Sequence, residues 1–249
     1  MKLNSIDKSL QIVELLSKYP SGLSLSELAT KSGFPKSTIH HILSTFLPYE
    51  YIAKDPEAKK YSLGFRFLSI SKSIFDNIDI RKIAHDHLLR LHEECAETVH
   101  LAILRNGKVV YIDKIDKTGG LSLATYVGFY TEPHAAAGGK VLLSELPMNK
   151  IREIYQSTSL KKYGKNTITR LDKLMNELKK IQKDGYAIDN EEYYEGVRCV
   201  AAPIRAGGQV VAAVSITGSI FTMTMERINS KLKKLVMKTA EMISSEMRW

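Results

Sequence analysis

Cys199 and His134 are a thiol and an imidazole that could in principle pair as nucleophile and base. Such a pair works only if the thiol is held as thiolate and an acid orients the imidazole. Cys199 lies in the mostly apolar run VRCVAAP, residues 197–203, where a buried, inert thiol is the default. Other catalytic patterns are missing. There is no GxxxxGK[ST] phosphate loop and no HExxH, and Ser219 does not stand in a GxSxG. His92 precedes Cys95 by three residues, but no second ligand pair completes a zinc site. The expectation is a protein that is not an enzyme and carries no metal and no cofactor.

Binding chemistry is better represented. The stretch PHAAAGGK, residues 133–140, starts a helix with almost no side-chain bulk. Free N–H groups at such a terminus, with the helix dipole behind them, suit a carboxylate or phosphate. The same small residues would equally permit close packing of helix on sheet. The stretch DNEEYYE, residues 189–195, crowds four carboxylates and two tyrosines ahead of Cys199. It reads as a solvated loop, or as a pocket lid in which Asp189 accepts hydrogen bonds from ligand hydroxyls. Metal binding by oxygen ligands in a flexible loop is a weaker third reading. Ser215 and Thr217 fall on one side of a strand by the period of two, bonding internally or facing a ligand.

A second kind of chemistry lies near the N-terminus, in GFPKSTIHHIL, residues 33–43. A helix over 36–47 places Ile39, Ile42, Leu43 and Phe46 on one face. Ser37, His40, His41 and Ser44 then point the other way, with Lys36 at the N-terminal edge. That outward face has hydrogen-bonding side chains and no carboxylate, as a helix entering a phosphate-walled groove requires. Lys54, Lys59 and Lys60 follow on a hairpin and would form a basic wing for phosphate contact. A small interaction domain with merely solvated Ser and His residues is the bland alternative.

Elements must hold these residues in place. Asn4 or Ser5 caps a first helix bearing Ile6, Leu10, Val13 and Leu16, and the capping-box pattern Ser24 to Glu27 opens a second. Two short helices joined by a glycine turn outline a helix-turn-helix. Strands around 51–53 and 61–63 make the hairpin. Helix returns from about 65 to 94, with a break near residues 75–77 and an apolar stripe of Ile80, Ile83, Ala84, Leu88 and Leu91. The period then changes to two. Strands at 99–103 and 109–112 flank Arg105, Asn106 and Gly107, a hairpin signature. A further strand is expected over 121–127. Helices follow at about 135–145, 149–155 and 171–183, the last capped by Thr169. Strands around 198–204 and 209–217 precede a closing helix with Met225, Ile228, Leu232, Leu235 and Ile243 on one face.

Composition agrees with a two-domain α+β protein with an antiparallel sheet. The 249 residues are 44% hydrophobic and 25% charged, enough for a core. No apolar run approaches the roughly 20 residues of a membrane span, and charges come too early for a signal peptide. A cytoplasmic protein with reduced cysteines and no membrane partner is expected. Thirty-six Lys+Arg against 27 Asp+Glu give a net charge of +9, which favours polyanions.

Taken together, GFPKSTIHHIL, the wing end KYSLG (60–64), PHAAAGGK, DNEE (189–192) and GVRCVAAP (196–203) resemble the IclR family of bacterial transcriptional regulators. The likeness runs over essentially the whole chain in order and spacing. It implies a winged helix-turn-helix over 1–65, a linker helix over 66–80, and a GAF-like effector-binding domain over 81–249. It implies DNA contact by Lys36, Ser37, Thr38, His40, His41, Ser44, Lys59 and Lys60 on double-stranded DNA with a palindromic operator. It also implies a homodimer or homotetramer and a small acidic effector. The Ala137 and Gly138 backbone would take the acid group, with Asp189, Cys199, Ser215 and Thr217 completing the polar contacts. Leu123, Tyr126 and Phe129 would be walls. The function that follows is a ligand-responsive regulator, a repressor of genes for catabolising an organic or sugar acid. A GAF-like sensor docking a protein and a Cys199-dependent hydrolase are the alternatives. Two positions depart from the family. His41 stands where Arg is usual, and a neutral imidazole lacks the guanidinium's charge and fork of donors. Glu50 stands where Gly is frequent, which is acceptable if the backbone there needs no positive φ.

Overall fold

The structure is a computed structural model that describes residues 4–76, 79–117, 119, 124–156 and 160–247. The chain forms two compact units, Met1–Ile78 and Asp79–Trp249. Among the described residues no helix is long and apolar enough to cross a membrane.

The first unit begins with α1 (Ser5–Ser17), β1 (Leu23–Ser24), α2 (Leu25–Ser32) and α3 (Lys36–Phe46). Asn4 Oδ1 accepts from the Asp7 N–H at 2.9 Å while Asp7 returns the bond to Asn4, and Ser24 and Glu27 do the same for α2. Each box satisfies donors that a helix start leaves free. Gly33, at φ 73°, closes α2 in the left-handed region and turns the chain into α3. A 3₁₀ turn (Leu47–Tyr49) leads to β2 (Ile52–Lys54) and β3 (Lys60–Leu63), then α4 (Arg66–Asp76). The three strands lie in the order β1-β3-β2, so the wing gains a third strand that periodicity is too short to reveal. The core joins Ile12, Leu16, Leu28, Ile39, Ile42, Leu43, Ile52 and Tyr61. Ile6 and Leu10, expected to share the inner face of α1, are instead exposed.

Glu50 does sit at positive φ, 60° with ψ 18°, so the condition that would have made it harmless is not met. Its side chain is exposed, and the strained geometry is held from outside. The Gly64 N–H donates to Tyr51 O at 2.8 Å, and a Cβ on Gly64 would run into the Glu50 carbonyl oxygen. Only glycine lets β3 return this close.

The second unit runs α5 (Asp79–Cys95), β4 (Thr98–Arg105), β5 (Lys108–Ile115), β6 (Tyr130–Thr131), α6 (Ala137–Ser144), α7 (Met148–Gln156) and α8 (Leu171–Asp184). It continues with β7 (Ala187–Asn190), β8 (Val197–Ala206) and β9 (Gln209–Ser219). The chain closes with α9 (Met225–Arg227), a π-turn (Ile228–Leu232) and α10 (Lys233–Glu246). All neighbours in the six-stranded sheet are antiparallel, in the order β6-β5-β4-β9-β8-β7. Helices α5 and α10 cover one face, and α6 with α8 behind it covers the other.

Several expectations need correction. Of the linker helix expected over 66–80, Arg66–Asp76 is described as α4 and Asp79 onward as α5, while residues 77 and 78 lie outside the described residues. The stripe of Ala84, Leu88 and Leu91 is buried within the unit, where α5 meets α10 and β4. Of the strand expected over 121–127, residues 121–123 lie outside the described residues and 124–127 are not strand; the strand that pairs with β5 here is Tyr130–Thr131. The N-cap of α8 is Arg170, not Thr169, and its guanidinium grips Asp172. Strand β7, short and followed by acidic residues, was not expected at all. In the last helix the π-turn inserts an extra residue, so Val236 takes the buried place expected of Leu235.

Replacing Gly64 by Ala is expected to cost the N-terminal unit roughly 1–3 kcal/mol through the forced collision with Glu50 O. Hydrogen exchange of the α2 and α3 amides in the full chain measures it; unchanged protection would show that the hairpin yields freely.

Candidate functional sites: an outward helix face and a polar pocket

In the first unit, α3 buries Ile39, Ile42 and Leu43 and exposes Lys36, Ser37, His40, His41 and Ser44; Thr38 is half-buried. Pro35 supplies no side-chain cap, so the first N–H groups of α3 are left for another partner. Ser44 Oγ donates back to His40 O at 2.7 Å and Thr45 Oγ1 to His41 O at 2.9 Å, which keeps their lone pairs outward. The wing turn is rigid, because Asp55 Oδ1 accepts from the Glu57 and Ala58 N–H groups. Lys59 projects from that turn, exposed, at φ 52°. Lys60 differs from it. It is half-buried opposite Ser24 in β1, close enough to Glu27 to lower that carboxyl's pKa, although the Ser24 hydrogen bonds do more.

In the second unit, strand pairing assembles a pocket on the α6 face. The register sets Cys199 and Thr98 on either side of Thr217, Ala201 and His100 on either side of Ser215, and Ala102 beside Ala213. Alternation sends all of these to one face. On β5 a bulge opposite Leu101 and Ala102 leaves Ile112 unpaired, so Tyr111 turns to the pocket while Asp113 turns to α5. There Asp113 accepts from His85 Nδ1 at 2.7 Å. The pocket holds about 460 Å³ of space between its atoms, mouth included. Of the expected residues, Ala137, Gly138, Asp189, Cys199, Thr217 and Phe129 line it. Ser215 does not; it is buried beneath, with its hydroxyl toward Cys199. Tyr126 is exposed and outside the lining, and Leu123 lies outside the described residues.

The helix start at the pocket resolves the two readings of its glycines. Ala136 caps α6 with extended backbone and no side-chain bond, and the Lys140 N–H is the first to reach a helical carbonyl, Ala136 O at 2.9 Å. A Cβ on Gly139 would run into the Pro133 backbone, so this glycine serves packing. A Cβ on Gly138 would meet only Ala213 and Ala102 methyls at 3.7 and 3.9 Å, so packing does not demand it.

The acidic stretch is no solvated loop. Asp189, Glu191 and Glu192 are each 6% exposed, although Glu195 is exposed. Lys140, itself buried, pairs with Glu192 Oε1 at 2.5 Å and donates to Ile188 O at 2.7 Å. Asp189 Oδ1 accepts from the Glu192 N–H at 2.7 Å. Burial first, then the neighbouring Glu192 charge, push the Asp189 carboxyl up to about 7. Burial and then Asp189 push the Cys199 thiol up to about 12, so it is neutral in ordinary buffer. The expected partner His134 is elsewhere, bonded to Lys161 O at 2.9 Å and stacked edge-on to Tyr155. The Cys199–His134 pair is not built.

Tyr193 and Tyr194, from the stretch read as a possible lid, also line the pocket, and sequence reading missed His100, Tyr111, Thr125, Thr131 and Val197. His100 sits in an apolar alternating strand, where a buried histidine carries no local signal. Tyr193 stacks on Tyr163 with centroids 4.7 Å apart, a pairing across thirty positions of chain that no periodicity shows.

Comparison with known proteins follows the same division. Residues 5–56 match the IclR helix-turn-helix domain, and residues 72–245 match the bacterial transcriptional regulator IclR C-terminal domain. The chain is 35% identical over 221 residues to the HTH-type transcriptional regulator XynR of Escherichia coli K12, covering 86% of each. It is 30% identical over 226 residues to the HTH-type transcriptional regulator KdgR of the same organism, covering 90% of this chain and 86% of that one. The crystal structure of the Thermotoga maritima IclR superposes with a TM-score of 0.83 at 31% identity, covering 98% of each chain.

Stability should fall as pH rises from about 4 through about 7. Over that range the unfolded Asp189 has lost its proton while the folded, buried one keeps it, and the loss levels off above 7. Glu192, also raised by burial, adds in the same direction. Asp189→Asn is expected to flatten this slope, read as the denaturation midpoint from pH 4.5 to 8. An unaltered slope would place the titrating group elsewhere.

Proposed function

The chain belongs to the IclR family of bacterial transcriptional regulators and is a DNA-binding regulator of transcription, and from that premise we propose that it is a repressor controlled by a small acidic effector. The observation that carries the effector reading is the pocket that ends on the uncapped start of α6, in a unit separate from the DNA-reading helix. An acid group would rest on the Ala137 and Gly138 N–H groups, where the helix dipole favours a negative charge. Asp189, Cys199 and Thr217 would meet the rest of the molecule, with Ser215 acting through Cys199.

On DNA, Lys36, Ser37, Thr38, His40, His41 and Ser44 of α3 would enter the major groove, and Lys59 would hold phosphate from the wing. Lys60 would contribute less, being half-buried beside Glu27. One winged helix reads a half-site, so a palindromic operator needs a symmetric partner. The α5 stripe is buried within its own unit and leaves that role to other surfaces. The N-terminal unit exposes Ile6, Leu10, Phe65, Leu68 and Ile74, an apolar set that a second copy would cover in a homodimer or homotetramer.

The test joins both ends of the molecule. The full chain should bind a near-palindromic duplex with log affinity falling steeply against log salt. Lys59→Ala should weaken all sequences alike, and Ser37→Ala or His40→Ala should change base preference by roughly 1–3 kcal/mol. An acid that shifts this binding should lose its effect in Gly138→Pro, which removes one N–H, while operator affinity without effector stays near that of the parent. Undiminished response in Gly138→Pro would move the effector site elsewhere.

A further inference from the structure

We propose that His100 determines effector specificity, presenting the bare Nε2 of a neutral imidazole to an effector hydroxyl, so that the pocket selects hydroxy acids over oxo acids. The proposal rests on the reading of this pocket as the effector site and adds the chemical class of its ligand.

A chain of hydrogen bonds across the pocket orients the imidazole. The Thr217 hydroxyl donates to Cys199 Sγ at 3.1 Å. With its one proton directed to Cys199, the Thr217 oxygen is placed to accept from His100 Nδ1, 3.4 Å away. In the proposed arrangement the hydrogen is on Nδ1 and a lone pair is at Nε2. Nε2 lies 2.9 Å from Thr125 Oγ1, which must then donate. The ring is fixed by more than this chain. It lies tilted against Tyr111 with centroids 4.6 Å apart, and it is 1% exposed.

Protonation cannot rescue a mismatched ligand. Burial, reinforced by the positive Lys114, holds the imidazole pKa down to about 3, with Asp116 opposing only in part. Lys114 shares the pocket side of β5 opposite His100, and its ammonium is fastened to Thr125 O at 2.6 Å and to Asp116. His100 thus stays an acceptor at Nε2 throughout the physiological range.

Thr125 shows what Nε2 takes: a hydroxyl. Thr125, His100 and Thr217 all line the pocket, so a ligand hydroxyl can replace that of Thr125 and keep the lone pair satisfied. A ligand carbonyl in the same place would set one acceptor against another in a buried site. Asp189, the carboxylate in the lining, makes the same demand once ionised. No Lys or Arg side chain is among the residues lining the pocket, so a ligand oxo group would have hydroxyl and backbone donors but no fixed positive charge there.

The experiment has two readouts. In full-length protein labelled with ¹⁵N-histidine, a long-range ¹H–¹⁵N spectrum at pH 7 should show His100 with hydrogen on Nδ1 and none on Nε2. The signal is assigned by its loss in His100→Gln. Calorimetry then compares acids of one skeleton, such as glycerate with hydroxypyruvate, mandelate with phenylglyoxylate, and 2-hydroxyglutarate with 2-oxoglutarate. The hydroxy member should bind roughly tenfold to a hundredfold more tightly. His100→Phe should abolish this ratio, and His100→Gln, whose amide oxygen can accept, should keep much of it. An Nε2–H tautomer, an oxo acid bound as tightly as its partner, or a ratio unchanged in both variants would overturn the proposal while leaving the effector site standing. If no acid of either kind binds, the effector-site reading falls and this proposal with it.

Discussion

The period of two along three neighbouring strands is the constraint on which the second unit depends. On β4, β9 and β8 the buried residues Val99, Leu101, Val214, Ile216, Val200 and Ala202 alternate with Thr98, His100, Ala213, Ser215, Thr217 and Cys199. A one-residue slip would exchange the two sets. The first set is apolar and lies on the side covered by α5 and α10. The second is small or polar, which leaves room for a cavity under α6. The bulge at Ile112 extends the same division to β5, where Tyr111 and Asp113 would otherwise share a face.

The polar groups around this cavity are held in place by a charge pair behind the lining. Lys140 on α6 is fully buried and reaches past the pocket to Glu192 and Ile188 O. That fastens the start of α6 to the end of β7, the two elements supplying Ala137, Gly138 and Asp189 to the pocket lining. The pair raises no stability argument by itself, since desolvating both charges offsets most of their attraction. Its effect is positional. Removing either partner would leave a buried charge behind and free the acidic turn from the helix.

The first unit solves a different problem. Its core is small, so it relies on two capping boxes and on close backbone approach at Gly64 to hold the wing against the turn at Glu50. The outward face of α3 then stays free of structural duty: its exposed residues make no bond across the unit, and the hydroxyls of Ser44 and Thr45 bond back to their own helix. A surface without internal partners is one that can be spent on DNA.

What the residues alone determined was whatever is encoded locally. The three N-terminal helices, the caps of the first two, the hairpin around Asn106 and Gly107, the α+β class and the outward set on α3 all follow from patterns a few residues long. So did the family, since its motifs are contiguous, and with it Ala137, Gly138, Asp189, Cys199 and Thr217 as pocket residues. The tertiary structure decided what depends on residues far apart. His100, Tyr111 and Thr125 enter the pocket through pairing and a bulge, neither of which leaves a local signature. The burial of Asp189 and Glu192 follows from Lys140, about fifty positions away, and reverses the reading of an acidic stretch that looks solvated in isolation. The two glycines of α6 parted only when Pro133 was found against one of them and open contact beside the other. Periodicity reports which face a side chain takes; what stands opposite that face is set by long-range packing, and with it the direction in which the pKa values of Asp189 and His100 move.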